Sequence, residues 1–152
     1  ICQASMQAAA VLSNKFSIIT TLPVSVPALE NLVRRYGFGD MCCRVRAADI
    51  PVLDLESNSK EAILSIKKEL ERALAEDGAE AIILGCAGMV DLSRTLTSQY
   101  HIPVIDGVGA AIKLVEGLAT IGLPTSSLGG YASPPKKSYS GVLARYSPDT
   151  EA

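Results

Sequence analysis

Short runs of consecutive apolar residues alternate along this chain with longer stretches in which apolar residues recur every three or four positions. Residues 16–22 (FSIITTL) are apolar and β-branched, the pattern of a buried strand. Over residues 26–36, Leu29, Leu32, Val33 and Tyr36 fall at i, i+3, i+4 and i+7, on one face of a helix. Pro27 suits the first turn of that helix and Gly37 its end. Residues 42–47 predict a second strand, weaker because Arg44 and Arg46 alternate with apolar neighbours. Residues 50–55 contain Pro51 and read as loop or edge strand. Asn58 and Glu61 resemble a capping box for a helix reaching residue 76, striped by Ile63, Ile66, Leu70 and Leu74 and stopped by Asp77 and Gly78. Residues 81–86 (AIILGC) are continuously apolar, as in a parallel strand covered on both faces. A helix over 89–100, a short strand over 102–105 (IPVI) and a helix over 107–121 complete the series. Asp106 is placed to cap the last helix and Gly122 to end it.

Strands that alternate with helices imply an α/β fold. The sheet is expected to be mostly parallel, four-stranded and flanked by helices, with right-handed crossovers. Beyond residue 122 the periodicity stops, and Gly129, Gly130, Pro134 and Pro135 break any pattern. Residues 1–122 therefore read as one α/β lobe and residues 123–152 as an extended tail. A hydrophobic fraction of 48% against 20% charged residues can bury a core and excludes wholesale disorder. A net charge of −2 points away from nucleic acid or an anionic membrane and toward a small-molecule partner. No apolar run approaches the ~18 residues of a transmembrane helix. Cys2, Cys42, Cys43 and Cys86 are too sparse for a disulfide scaffold, which points to a reducing, cytoplasmic setting. They lack paired metal-ligand spacing and histidine partners, so no zinc site is expected.

Open α/β sheets bind ligands outside the C-terminal ends of their strands. That rule selects Thr20 and Thr21 after the first strand, Cys86 after the third and Asp106 after the fourth. Cys86 is the sharpest candidate, because it lies between a buried strand and a helix start whose free N–H groups favour a thiolate. Gly85 and Gly88 remove side chains where a substrate approaches, and the N–H groups of Ala87 and Gly88 can hold a carboxylate or a developing oxyanion. A buried strand cysteine is an equally ready reading. The two threonines also fit plain β-propensity, and Asp106 fits an N-cap first and a site role second. His101 sits at a connection on the opposite side of the sheet. Asp49, Asp54 and Glu56 read as solvated. Neither a dinucleotide fingerprint nor a nucleophile elbow is present.

The segments FSIITTL at 16–22, ILGCAGM at 83–89 and PVIDGV at 103–108 together resemble the hydantoin/allantoin racemase branch of the Asp/Glu racemase superfamily. The resemblance spans residues 1–122. It implies two pseudo-symmetric lobes facing a cleft, each supplying one cysteine, with no cofactor. One thiolate takes the proton α to a carbonyl, and the opposite thiol returns one to the other face. By position Cys86 matches the second-lobe cysteine, Thr20 and Thr21 match substrate contacts, and Ala87 matches a substrate-binding N–H. Asp106 falls in the third motif. The family's first cysteine segment has no counterpart here, so the chain is expected to be the second lobe of a longer protein. A face left uncovered by a missing lobe would invite association, including a homo-oligomer. Two other classes compete with the racemase: a non-catalytic α/β binding module and a different cysteine-dependent hydrolase. The latter would need a histidine partner.

Overall fold

The four apolar runs form one sheet in the computed structural model, which describes residues 1–56 and 59–148. Strands β1 (Phe16–Thr20), β2 (Cys42–Ala47), β3 (Ala81–Leu84) and β4 (Val104–Asp106) are parallel and ordered β2-β1-β3-β4. Ile18 pairs with Val45 on one side and Ile83 on the other, and Ile83 pairs with Ile105. Alternation sends this row to one face of the sheet and its neighbours Ile19, Ile82, Leu84 and Val104 to the other. The first face packs on Met6 and Ala9 of α1 (Cys2–Leu12) and on Val33 of α2 (Val26–Arg35). The second packs on Leu55 of α3 (Val52–Glu56), Ile66 and Leu70 of α4 (Lys60–Arg72) and Leu96 of α5 (Val90–Tyr100). The two central strands, β1 and β3, are buried at every residue. Covering on both faces is why β3 is an unbroken apolar run and β1 is apolar but for the buried Ser17 and Thr20.

Two local readings change. Residues 50–55 are not an edge strand. Pairing with β1 ends at Ala47, after which the N–H groups of Ala48 and Ile50 donate to the carbonyls of Thr20 and Thr21. Pro51, which has no N–H to lose, then precedes the short helix α3. Asn58 lies outside the described residues. The helix cap is supplied by Ser59, whose hydroxyl oxygen accepts from the Ala62 N–H at 3.4 Å while its O–H donates to Glu61 at 2.8 Å. Arg46, on β2, is buried. It is 5% exposed and donates to Asp77 at 2.6 and 2.7 Å, to Glu76 at 2.8 Å and to Glu69 at 3.3 Å. Ala73–Asp77 continues α4 as a π-helical turn, ended by Gly78 at φ +67°, and this turn carries Glu76 and Asp77 to Arg46. Ser17 of β1 also donates to Asp77, at 3.0 Å. The Arg46 hydrogen bonds hold the Asp77 carboxyl below the usual carboxylate range.

Helix α6 (Gly107–Thr120) is rich in apolar residues, yet Gly107 is its one buried position, and Ile112 and Val115 are exposed. The chain divides into two units, residues 1–117 and 118–152. In the second unit, short 3-10 turns at Gly129–Tyr131 and Gly141–Tyr146 interrupt an almost wholly exposed chain. Among the described residues no helix is long and apolar enough to cross a membrane.

Candidate active site

The strand order reverses between β1 and β3. The chain leaves β1 for β2 through α2 on one face and returns to β3 through α4 on the other. Such a switch point opens a crevice at the C-terminal strand ends. Thr20 and Thr21 stand on one side of it, Gly85 and Cys86 on the other. The Gly85 N–H donates to the Ile19 carbonyl at 2.8 Å, holding the two strand ends together. A Cβ at Gly85 would lie 3.1 Å from Ile18 Cγ2 and 3.2 Å from the Ile19 oxygen. The neighbour that crowds this position is β1 itself.

Cys86 keeps an extended backbone, at φ −135° and ψ 135°, and is followed by a 3-10 turn, Ala87–Met89, that leads into α5. No side chain caps this turn or α5. The sulfur thus stands where a strand becomes a helix, beside backbone N–H groups left without a side-chain acceptor. Cys86, Gly85 and Ala87 line a pocket of about 140 Å³. Its floor is Ile18 and Ile83, and its far wall is built by Ile1, Cys2 and Ser5 together with Gly107 and Val108. A Cβ at Gly107 would meet Ile1 Cγ2 at 2.8 Å, so glycine is what lets α1 and α6 begin side by side here. The Ser5 hydroxyl donates to the Cys2 carbonyl at 2.8 Å, and burial pushes the Cys2 thiol pKa up.

The remaining candidates are placed around this pocket rather than in it. Thr20 and Thr21 are buried at the end of β1 and do not line it. Gly88 faces a second pocket of about 260 Å³ shared with Asp54 and Leu55, where a Cβ would sit 3.8 Å from the Cys86 sulfur. Asp106 spends both carboxylate oxygens on α6, accepting from Val108 N–H at 2.8 Å and Gly109 N–H at 2.9 Å. It holds Gly107 and Val108 against the pocket. The single histidine, His101, ends α5 in a left-handed conformation at φ 54°. Eleven helical residues separate it from the Cys86 end, about 16 Å, so no Cys–His pair forms. Cys42, on β2, has its thiol pushed up to about 12 by burial. The pocket wall from Ile1, Cys2, Ser5, Leu29 and Val108 was absent from the sequence reading. Its members lie up to 107 positions apart, and the one local hint was Gly107 at a helix start.

A thiol at the switch point of a parallel α/β lobe, next to a pocket of small-ligand size, defines a cysteine-bearing α/β protein with a strand-end site. The chain belongs to the Asp/Glu/Hydantoin racemase family, whose model matches residues 1–115. It is 51% identical over 141 residues to a hydantoin racemase of Rhizobium meliloti, covering 93% of this chain and 58% of that protein. A hydantoin racemase of Pseudomonas sp. strain NS671 is 39% identical over 146 residues, covering 96% and 59%. The solved allantoin racemase from Klebsiella pneumoniae superposes with a TM-score of 0.88 at 44% identity, over 96% of this chain and 60% of that one. The chain thus spans about three fifths of the length of these relatives.

Proposed function

We propose that the protein carrying this chain is a cofactor-independent racemase, acting on a carbon α to a carbonyl in a hydantoin, allantoin or related amino-acid derivative. The observation that carries this reading is the placement of Cys86. Cys86 lines a pocket at the switch point, next to N–H groups with no side-chain acceptor. A C–H α to a carbonyl is acidic only if the resulting enolate is stabilised. The Ala87 and Gly88 N–H groups supply that stabilisation from fixed positions.

The Cys86 thiolate takes the proton from one face of the carbon, forming S–H and an enolate. A second thiol, supplied from outside these 152 residues, donates a proton to the opposite face. Each sulfur ends in the other's starting state, and inversion follows because acid and base stand on opposite faces. In the reverse direction the roles exchange. Thr20 and Thr21 shape the strand end that carries the substrate, and Asp106 positions the pocket wall.

The test is racemisation in deuterated buffer across a panel of 5-substituted hydantoins and allantoin. Deuterium should enter C5 while optical rotation decays, and Cys86→Ser should abolish both. Absence of wash-in and of rotation decay across the panel would overturn the proposal. The 152-residue chain by itself should be nearly inactive, and full racemisation by it alone would refute the two-thiol account.

A further inference from the structure

The turn that offers the Ala87 and Gly88 N–H groups has no side-chain cap, so its aim is set by what packs against it. Gly88 lies against α3. A Cβ at Gly88 would be 3.4 Å from Leu55 Cδ1, 3.9 Å from Leu55 Cβ and 3.8 Å from the Cys86 sulfur. Leu55 belongs to the same buried cluster as Met89, the last residue of that turn, whereas Val52 and Leu53 of α3 are exposed. The short helix therefore sends an apolar side chain inward to the turn that follows the reacting sulfur. α3 is itself tied to the sheet. The Ala48 and Ile50 N–H groups donate to the Thr20 and Thr21 carbonyls at 2.9 and 3.1 Å. Asp49, between them, bends the chain at φ 53°, a left-handed conformation uncommon for a residue with a Cβ. The end of β1 thus supports the Cys86 segment twice, directly at Gly85 and through α3 at Gly88.

We propose that Leu55 is a positioning residue for the reaction at Cys86. By packing on Gly88 it fixes the direction of the Ala87 and Gly88 N–H groups toward the developing enolate oxygen. The inference rests on the racemase reading and adds to it a side chain that does not line the Cys86 pocket. Donors held in place beforehand stabilise developing charge without reorganising at the moment of reaction. That charge is absent from the bound substrate, so a donor that loses its aim lowers kcat and leaves KM nearly as it was. Leu55→Ala deletes the Cδ1 that lies on Gly88 and lets the turn shift. A misplacement of about 1 Å, caused from outside the reacting groups, costs on the order of 10² in rate.

The experiment measures kcat and KM for C5 deuterium wash-in by the protein carrying this chain and by its Leu55 variants. It uses a hydantoin that the parent protein turns over, at a temperature where circular dichroism shows each variant folded. Leu55→Ala should lower kcat by about 10²-fold with KM little changed. Leu55→Val also lacks Cδ1 but keeps more of the bulk. It should lower kcat by a smaller factor, and it carries the test if Leu55→Ala does not fold. Adding Gly88→Ala to Leu55→Ala supplies a methyl 3.9 Å from the retained Cβ at position 55. Part of kcat should return. Parent-like kcat in the folded Leu55 variants, a loss confined to KM, or no recovery on adding Gly88→Ala overturns the positioning role and leaves the racemase reading standing. No wash-in by the parent protein on any hydantoin or on allantoin overturns both.

Discussion

Arg46 gives the most demanding test of how this lobe is held together. Its side chain is 4% exposed and its chief partner Asp77 is 3% exposed. Arg46→Met keeps the aliphatic bulk and removes every N–H. Asp77 is then left buried with the Ser17 hydroxyl at 3.0 Å and the more distant Arg44 at 3.7 Å. Breaking a buried pair from one side costs about 3–5 kcal/mol. The lower end applies, because Glu76 reaches solvent and Glu69 keeps Arg72 at 2.9 Å. About 3 kcal/mol corresponds to a fall in melting temperature of roughly 6–12 °C for a domain of this size. The pH dependence has a definite sign. The folded pKa of Asp77 is depressed, so its contribution is present above the unfolded carboxylate value of about 4 and is lost as pH falls through the folded value. The gap between the parent chain and Arg46→Met should therefore be full at neutral pH and narrow at acid pH. Urea denaturation followed by far-UV circular dichroism at both pH values measures it. A neutral-pH difference under ~1 kcal/mol, the size of an exposed pair, would refute the buried-lock account.

Gly85→Ala forces a methyl to within 3.2 Å of a β1 carbonyl that cannot swing away. Equilibrium unfolding should show a loss of about 1–3 kcal/mol, the scale of overpacking. Asp106→Ala removes both acceptors at the start of α6. It should destabilise by about 0.5–2 kcal/mol in the same assay, while Asp106→Asn retains part of the cap.

The parts of the fold that were legible are those whose cause is local. β1 and β3 announce themselves because burial on both faces leaves them mostly apolar, with Ser17 and Thr20 as the buried polar positions of β1. Strand lengths were less legible. Residues 16–22 are apolar or β-branched apart from Ser17, but β1 ends at Thr20, where its last partner Ala47 ends. Nothing in Thr21 or Leu22 records where a neighbouring strand stops. Arg46 was illegible for a related reason. An arginine alternating with apolar residues looks like a wet edge strand, and its carboxylates lie 23 to 31 positions away. At the site, Cys86 was legible from the glycines and helix start around it. The apolar wall was not, because α1, α2 and α6 meet only when the sheet has formed. Thr20 and Thr21 show the limit of the strand-end rule: they end β1, but the pocket beside Cys86 takes its far wall from helices.

The helix starts that follow β3 and β4 differ in one respect. The start of α6 is capped on two N–H groups by Asp106, whereas the turn after Cys86 has no side-chain cap. If the uncapped N–H groups stabilise an enolate, removing one should slow proton transfer and leave folding alone. Ala87→Pro isolates that effect. Ala87 is the first residue of the 3-10 turn, a position whose geometry proline favours, and it is exposed. Cys86 already has the extended φ −135° and ψ 135° that a residue before proline requires. The substitution therefore deletes a donor with little strain. Loss of one oxyanion donor costs about 10²–10³ in kcat. Deuterium wash-in should fall by that factor while the melting temperature stays within about 2 °C, less than 1 kcal/mol. Unchanged wash-in in a folded Ala87→Pro variant would remove the Ala87 N–H from the mechanism and leave Cys86 acting without it.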